Sequence, residues 1–414
     1  MANGLRASAC CTALARLLLP IALTACHGCP GSQDTPNART PVSDDPVRPP
    51  SQEELATTDG TIAMSNIDVQ ITSATGALHR NPSEAETEQT LIDLLSLRAK
   101  FTSHVSDLEA ADAWANDFVR VAPKRAGAYE ARAGTRAALH LFRLAVEDLD
   151  RAVTLGASRE AQASARAAIL QATGDLDGAL ALREALAART PEIAELTSQA
   201  ALVAELGRTD EAVLLFARAQ ESNNQVTAFP VAWMLFQEAI MWERAGNTRR
   251  AAAFYRGAYE RVPAYAHAAS HLAVLEPPAK AIELLKPIVE TADDPEFEMI
   301  LARSELAAGD KASADQHFAD VAKRYDELVA KHPEAYRDHA ASFFLTEGND
   351  KKKALDLSKQ TIAEGRRIAA VYETALLAAI ALGAKDDACT LAKGVQALQH
   401  PSQMLQDVAK DACK

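Results

Sequence analysis

Apolar residues recur with a helical period over the last four-fifths of the chain. From about residue 86 they return every three or four positions, which is the spacing of an amphipathic α-helix. A longer period overlies this one, because a small residue recurs at steps of 30 to 40 positions. The alanine series that marks the longer period comprises Ala111, Ala145, Ala179, Ala212, Ala251, Ala281, Ala314, Ala354 and Ala388. The two periods together predict nine tandem units of two helices each.

The residues between members of this series divide each unit into two helices. Another small residue stands 12 positions earlier in seven units, at Ala99, Ala133, Ala167, Ala200, Ala239, Ala269 and Ala302. Small side chains at both places allow the two helices to approach closely. Glycine, which ends a helix by adopting φ > 0°, recurs between them at Gly174, Gly207, Gly246, Gly309, Gly348 and Gly383. An Asp or Asn follows four of these glycines and is suited to cap the second helix.

This arrangement resembles the tetratricopeptide repeat (TPR), a unit of two helices and about 34 residues. The clearest copies are PEIAELTSQAALVAELGRTDEAVLLFARAQ (residues 191–220) and PVAWMLFQEAIMWERAGNTRRAAAFYRGAYERVP (residues 230–263). The resemblance implies an all-α fold over residues 86–414, in which about nine units form a right-handed solenoid. It also implies that the first helices of the units line a concave groove, on which this family binds its partners.

Four apolar side chains fall at positions that the repeat register places on this groove. They are Phe236, Ile240, Met299 and Phe343. An apolar patch of this kind is suited to an amphipathic helix or an extended peptide of a partner. The alternative is that the four residues pack against neighbouring repeats. The Lys–Asn pattern with which some TPR domains clamp a terminal carboxylate does not occur at the corresponding positions.

Residues 1–25 have the features of a secretory signal. Two arginines and no acidic residue accompany a short apolar run. The run ends in residues that resemble the bacterial lipobox, namely Leu23, Thr24, Ala25 and Cys26. This resemblance implies cleavage before Cys26 and lipidation of that cysteine, whereas a signal cleaved without lipidation is the alternative. Aspartate after the lipidated cysteine marks inner-membrane retention in enteric bacteria, so His27 favours the outer membrane.

Cys26 and Cys29 also form a C-x-x-C motif. A c-type haem site requires a histidine directly after the second cysteine, and Pro30 stands there instead. A structural zinc site requires a second pair of ligands, and no second C-x-x-C occurs. The proline also disfavours the helix that follows a thioredoxin-like pair. The lipobox therefore remains the favoured interpretation.

Residues 26–85 have the composition of a disordered tether. Six prolines lie between positions 30 and 50 among Ser, Thr, Asp and Asn, and such a segment buries too little apolar surface to fold. Within it, Thr61–Thr75 alternates apolar and polar residues, with Ile67, Val69 and Ile71 on one side. This alternation predicts an extended segment that either packs on the repeats or adds a strand to a partner's sheet.

Charge and motifs argue against several functional classes. The net charge is −13, whereas nucleic-acid binding requires a basic face, so no nucleic-acid partner is expected. Motifs for nucleophilic catalysis, zinc hydrolysis and phosphate binding are absent from the sequence, so we expect neither an enzyme nor a cofactor. His267 and His271 are spaced to share a metal ion, but no third ligand is near in sequence and no metal site is expected.

The last two cysteines, Cys389 and Cys413, lie in the ninth unit and its trailing helix. In an oxidising compartment, a disulfide between them would fix the C-terminal cap of the solenoid. The sequence leaves this pairing open, because it does not supply the separation of the two Cα atoms.

Taken together, these patterns predict a lipid-anchored scaffold or adaptor in a bacterial cell envelope. It faces the periplasm and binds other envelope proteins through its groove. Three alternatives remain open at this level. They are a binder of cell-wall glycan or of its hydrolases, an enzyme with an unrecognised site, and a cytoplasmic adaptor that retains residues 1–25.

Overall fold

The computed structural model describes residues 48–81 and 84–413, and every regular element in these ranges is an α-helix. The 20 helices are α1 (Gly60–Arg80), α2 (Ala85–Thr102), α3 (Val105–Val121), α4 (Ala126–Ala138), α5 (Phe142–Thr154), α6 (Ala163–Thr173), α7 (Leu176–Arg189), α8 (Ile193–Glu205), α9 (Thr209–Glu221), α10 (Phe229–Arg244), α11 (Thr248–Arg261), α12 (Ala266–Val274), α13 (Pro278–Val289), α14 (Pro295–Ala307), α15 (Lys311–Lys331), α16 (Pro333–Leu345), α17 (Lys351–Ala363), α18 (Ala369–Ala381), α19 (Lys385–Gln396) and α20 (Gln403–Asp411). Helices α2 to α19 pair into nine successive hairpins, units 1 to 9, and α20 follows as a cap. The predicted all-α solenoid is confirmed for these residues.

The small residues that revealed the repeat are buried throughout. All nine members of the alanine series are at most 3% exposed, and the seven small residues that stand 12 positions earlier are at most 5% exposed. The two helices of every unit are in direct contact. The long period in the sequence therefore reflects close helix packing inside each unit, where a larger side chain would be costly.

The turns within units are closed as the sequence predicts. Gly174, Gly207, Gly246, Gly309 and Gly383 adopt φ between +66° and +97°. After three of them a side chain caps the second helix, because Asp175, Asn247 and Asp310 each accept a hydrogen bond from a backbone N–H of the following first turn. Unit 8 differs, since its left-handed residue is Asn349 (φ 46°) and not Gly348.

Residues 60–80 correct the prediction of an extended segment in a disordered tether. They form α1, which Asp59 caps by accepting hydrogen bonds from two backbone N–H groups of its first turn. Its buried apolar face follows a helical period, with Ala63, Met64, Ile67, Ile71, Ala74 and Leu78 in contact with the main core. The period-two pattern was misleading because Val69, which belongs to it, is exposed.

Residues 48–59, which we call the strap, also lie on the solenoid. Arg261 at the end of α11 donates hydrogen bonds to the backbone oxygens of Leu55 (2.5 Å) and Ser51 (3.3 Å). Gly60 packs so tightly on α11 that a Cβ atom there would lie 2.2 Å from the carbonyl oxygen of Arg261. The predicted disorder is therefore wrong for residues 48–80, and residues 26–47 lie outside the described ranges.

The solenoid has two edges, which differ in the chain segments that form them. The turn edge consists of the turns within units, at residues 103–104, 139–141, 174–175, 206–208, 245–247, 275–277, 308–310, 346–350 and 382–384. The loop edge consists of the connections after units 1 to 9, at residues 122–125, 155–162, 190–192, 222–228, 262–265, 290–294, 332, 364–368 and 397–402. These two edges meet within the chain, because the solenoid winds back on itself.

Contacts between successive windings begin at unit 1. The carboxylate of Asp293, on the connection after unit 6, accepts hydrogen bonds from the backbone N–H groups of Val105 and Ser106 in the first turn of α3. His332, on the connection after unit 7, lies 2.8 Å from the carboxylate of Glu109. The N-terminus of a helix favours an acceptor of this kind, since its first N–H groups lack partners within the helix.

Units 2 and 3 continue the same series. His140 in the turn of unit 2 lies 3.1 Å from Arg366, on the connection after unit 8. In unit 3, the carbonyl of Thr173 accepts a hydrogen bond of 3.4 Å from the backbone N–H of Arg367. Asp177 then meets His400, on the connection after unit 9, at 2.9 Å. Each early turn thus contacts connections that follow five or six units later.

Candidate functional site

The four side chains predicted to line a partner-binding groove are packed inside the protein. Phe236 and Phe343 are 1% exposed and Ile240 is 8% exposed. Met299 is half-buried and packs against the core of the later units. The prediction of groove contacts is wrong for the three buried residues, which have no surface left for a partner. These three residues instead follow the alternative interpretation, because they pack against neighbouring repeats.

For Phe236 and Ile240, the physical reason is that unit 1 fills the groove in front of units 5 and 6, whereas Phe343 packs against Tyr325 and Phe344 in the core of the later units. The ring of Phe101 on α2 lies 4.8 Å from that of Phe229 on α10 and 4.6 Å from that of Tyr265 before α12. The Lys100 ammonium lies 4.3 Å from the centre of the Trp233 ring. These contacts join unit 1 and units 4 to 6 in one hydrophobic core. The chain itself therefore occupies the central part of the groove.

Helix α10 is enclosed on all sides as a result. Every residue from Phe229 to Trp242 is buried, including the carboxyl group of Glu238. Burial raises the pKa of Glu238 to about 8, and the nearby Arg250 guanidinium opposes this rise only in part. The fold therefore holds Glu238 largely protonated at neutral pH, at a cost that grows with pH.

We expect Glu238→Gln to stabilise the protein at pH 8 and to be close to neutral at pH 4.5. The unfolded chain loses this proton near pH 4.5, whereas the folded chain loses it near pH 8. The native state therefore binds more protons in this window, and its free energy of unfolding falls as pH rises from 4.5 to 8. An amide does not ionise and escapes this loss, which amounts to a few kcal/mol by order of magnitude.

Urea denaturation of wild type and Glu238→Gln at pH 5, 6.5 and 8 measures this difference. The control is Glu184→Gln, at an exposed position of α7, for which we expect no such trend. A Glu238→Gln advantage that stays constant across the three pH values would contradict the interpretation of a buried, protonated carboxyl group.

A buried ion pair stands where units 2 and 8 meet. Arg366 is 5% exposed, and its Nη1 lies 2.5 Å from the Oδ2 of Asp338. The same nitrogen lies 3.1 Å from Nδ1 of His140, whose pKa is lowered to about 3 by burial and by the Arg366 charge. His140 is therefore neutral at physiological pH and does not repel the guanidinium. These three groups connect the two windings of the solenoid.

Further titratable groups continue inward from this pair. The imidazole of His339 lies 3.9 Å from the Glu296 carboxylate and 4.0 Å from that of Asp338. Burial opposes the charged form of His339, but the carboxylates of Asp338, Glu296 and Asp294 outweigh it and raise the pKa of His339. Burial in turn raises the pKa of Glu296 to about 7. These groups belong to units 7 and 8, so the network extends the buried pair from the contact with unit 2 into the neighbouring units.

The two histidines that were considered as metal ligands have other surroundings. His267 is half-buried, and burial lowers its pKa to about 3. His271 lies 3.2 Å from the carboxylate of Glu243. Among the described residues, no group of three or more His, Cys, Asp or Glu side chains is arranged to hold a metal ion.

A disulfide bond joins Cys389 on α19 to Cys413 after α20, with their Cα atoms 4.7 Å apart. It ties the capping helix to unit 9 across a separation of 24 residues. Such a cross-link stabilises the cap mainly by restricting the unfolded chain. The pairing that the sequence left open is present in the structure.

The inner face of the solenoid is open at unit 9. Leu377 is 38% exposed and Ile380 is 45% exposed, and with Glu373 they form a stripe along α18 at helical spacing. Glu373 is half-buried, and burial raises its pKa. The repeat register that puts Phe236 and Ile240 on the groove also puts Glu373 and Leu377 there, but the prediction of a binding site named only Phe236, Ile240, Met299 and Phe343. We call these three residues the unit 9 stripe.

The membrane-related predictions fall on other parts of the chain. Leu23, Thr24, Ala25 and Cys26 lie outside the described residues. Within residues 48–81 and 84–413, no helix combines the length and the apolar character needed to cross a bilayer.

Comparison with known proteins gives matches only among solved structures. No protein-family model matches the chain, and no curated protein matches it. A structure of the APC/C hetero-tetramer Cut9–Hcn1 is similar at 15% identity over 80% of this chain and 64% of that chain, with a TM-score of 0.44. The chain therefore spans less than two thirds of that relative.

Two further structures are similar at the same level. The human IFIT1 dimer with PPP-AAAA matches at 15% identity over 76% of this chain and 71% of that chain, with a TM-score of 0.47. A tetratricopeptide repeat protein from Parabacteroides merdae matches at 16% identity over 60% of this chain and 96% of that chain, with a TM-score of 0.38. At these values the likeness concerns the fold alone, a solenoid similar to those of TPR proteins.

Proposed function

We propose that the protein is a lipid-anchored scaffold of a bacterial cell envelope and that it binds a segment of another envelope protein on the unit 9 stripe. The observation that carries this proposal is the contrast along the inner face. The groove is filled by the chain itself at units 5 and 6, whereas Leu377 and Ile380 on α18 are exposed. A contiguous exposed apolar patch is typical of an interaction site.

The stripe suggests the chemistry of the segment that binds it. Leu377 and Ile380 offer apolar contacts to one face of an amphipathic helix or to alternate side chains of an extended peptide. Glu373 is half-buried, and in the described part of the chain no ion pair joins it to a cation. A basic side chain of the partner placed beside Glu373 would favour its charged form and add specificity.

Two observations support the location. The sequence from Leu23 to Cys26 resembles a lipobox, which implies an N-terminal lipid anchor on Cys26. The Cys389–Cys413 disulfide suits an oxidising compartment such as the periplasm, because cytoplasmic thiols are kept reduced. Two or more acyl chains hold a protein stably at a membrane, whereas one chain holds it only marginally. We place the anchor in the outer membrane, since His27 stands where a retention aspartate would be.

In-cell photo-crosslinking tests this function. A photoreactive amino acid at position 377 is compared with one at position 214, since Leu214 is exposed on α9 and lies in no proposed site. We expect one envelope protein to be captured from position 377 and not from position 214. Its capture should fall at least tenfold with Ile380→Glu and should be lost with Cys26→Ser, which removes the anchor.

Two results would contradict the proposal. Equal capture from positions 377 and 214 would show that the unit 9 stripe is not a binding site. Capture of cytoplasmic proteins by wild type and Cys26→Ser alike, with residues 1–25 retained, would show that the chain is a cytoplasmic adaptor.

A further inference from the structure

The capping helix α20 lies on unit 9 through a small apolar face. Leu405 and Ala409, which are 2% and 3% exposed, share this face because they stand four positions apart. They belong to the same hydrophobic core as Leu391 and Val395 of α19. The helix contacts both α18 and α19. It therefore covers an apolar surface that both helices of unit 9 form.

The capping helix is too short to be stable without this surface. It comprises nine residues, Gln403–Asp411, and isolated helices of fewer than about 12 residues are marginal in water. Ser402 supports its first turn, because the side-chain oxygen accepts a hydrogen bond of 3.2 Å from the backbone N–H of Leu405. That hydrogen bond acts within the segment and does not join it to unit 9. The helix therefore depends on its attachment to unit 9 in order to stay folded.

The disulfide between Cys389 and Cys413 is placed to control this attachment. Cys389 lies on α19, and Cys413 follows the end of α20. Cys413 is exposed and Cys389 is half-buried, so the sulfur of Cys413 is open to attack by a thiol from solution. The bond closes a loop across a separation of 24 residues, and the entropy of such a loop favours the attached helix by roughly a hundredfold.

The chain before the capping helix is held separately, by unit 3. The side-chain oxygen of Gln399 accepts a hydrogen bond of 3.0 Å from the backbone N–H of Asp177, and His400 lies 2.9 Å from the carboxylate of Asp177. Pro401 and Ser402 then lead into α20. Because these contacts precede the helix, α20 is able to leave unit 9 while residues 399–400 stay on unit 3.

We propose that the Cys389–Cys413 disulfide is a redox latch, which a dithiol reductant opens so that α20 leaves unit 9 and uncovers the apolar surface beneath it. A thiolate of the reductant attacks the Sγ atom of Cys413, the S–S bond breaks, and the electron pair leaves on the Sγ atom of Cys389, which takes up a proton. The second thiolate then attacks the reductant's own sulfur in the mixed disulfide and releases Cys413, which is protonated in turn. Two electrons and two protons thus pass to the cysteines, and the dithiol becomes a disulfide.

Hydrogen exchange of the full-length chain, measured by mass spectrometry at one pH with and without dithiothreitol, tests the latch. We expect the amides of residues 403–411 to exchange at least tenfold faster after reduction, whereas those of α18 and α10 should keep their rates. The fluorescence of 8-anilinonaphthalene-1-sulfonate, a probe of exposed apolar surface, should rise at the same time. Both effects should reverse when the reductant is removed and the thiols reoxidise.

The control is the double variant Cys389→Ser with Cys413→Ser, since the sequence contains four cysteines besides this pair. Its residues 403–411 should exchange rapidly before dithiothreitol is added and show no further change afterwards.

Two results would overturn the latch. If reduction of the wild type changes exchange at residues 403–411 by less than tenfold, apolar contacts alone hold the helix. If exchange quickens throughout α18 and α19 as well, the bond holds unit 9 folded and does not act on the capping helix alone. Neither result bears on capture from position 377, so the latch and the proposed function fail separately.

Discussion

Arg366→Ala is expected to lower the free energy of unfolding by about 3–5 kcal/mol, the range found when one partner of a buried ion pair is removed. The Arg366 guanidinium is buried against the carboxylate of Asp338, which is itself buried. Without it, Asp338 keeps a charge in the interior, and the imidazole of His339 lies 4.0 Å from its carboxylate. The bond to His140 of unit 2 is lost as well, so the two windings of the solenoid should separate more readily.

Urea denaturation measures the loss of stability, and hydrogen exchange shows where it arises. We expect faster exchange at residues 139–141 of unit 2 than in the strap, since only the former contact the connection after unit 8. The control is Lys359→Ala, because Lys359 of unit 8 pairs with Asp387 of the neighbouring unit 9 at 2.6 Å and is half exposed. Its cost should stay below about 1 kcal/mol. Equal losses in the free energy of unfolding for the two variants would contradict the interpretation that the buried Arg366–Asp338 pair holds the two windings together.

A double substitution separates the loss of the ion pair from the cost of leaving one partner charged. Replacing both groups with apolar residues, as Arg366→Met with Asp338→Leu, removes the unpaired charge. We expect this double variant to be more stable than Arg366→Ala, although His140 still loses its neighbour. If the double variant is as unstable as Arg366→Ala, the loss of stability in Arg366→Ala comes from lost packing and not from the unpaired charge of Asp338.

The helices and their pairing were predictable because they depend on short-range chemistry. Ala179 and Gly174, for example, act within a single unit, where small residues set helix contact and glycine closes the turn. The winding of the solenoid depends on small rotations added over many units. Phe236 therefore looked like a groove residue, since nothing near it in sequence shows that Phe101 of unit 1 reaches its neighbour Tyr265.

The N-terminal segment was misjudged for a related reason. Composition alone indicates disorder for residues 48–59. The residues that hold this segment lie some 200 positions later, since Arg261 donates to the carbonyl of Leu55 and Gly257 packs against Pro49. A signal for α1 was nevertheless present, because Ile67, Ile71 and Ala74 follow Ala63 at helical spacing. The exposed Val69 turned a helical pattern into an apparent alternation.

The unit 9 stripe was only partly predictable. The repeat register places Glu373 and Leu377 on the inner face, as it does Phe236. Which of these residues stay exposed depends on which units meet across the interior. The packing of unit 1 closes the inner face at units 5 and 6, whereas Leu377 and Ile380 stay exposed at unit 9.

Gly174→Ala is expected to lower the free energy of unfolding by about 3 kcal/mol, the sum of two effects. Gly174 has φ +97°, and placing alanine in this left-handed backbone conformation destabilises the folded state by about 1–2 kcal/mol. A Cβ atom would also lie 2.3 Å from the carbonyl oxygen of Arg367, so backbone must move, and overpacking of this kind costs about 1–3 kcal/mol. The second effect arises only because the windings touch.

Gly207→Ala is the matched control, since Gly207 occupies the equivalent turn of unit 4 with φ +78° and nothing within 4 Å of a Cβ atom. Gly207→Ala should lower the free energy of unfolding only through the strained backbone conformation of alanine, by about 1 kcal/mol. Thermal or urea denaturation of both variants gives the difference, and exchange of the Arg367 amide, which donates to Thr173, should quicken only in Gly174→Ala. Equal costs would mean that units 3 and 8 separate without penalty in solution. An excess of about 2 kcal/mol at Gly174 would instead show that the turn of unit 3 and the connection after unit 8 stay in contact in solution.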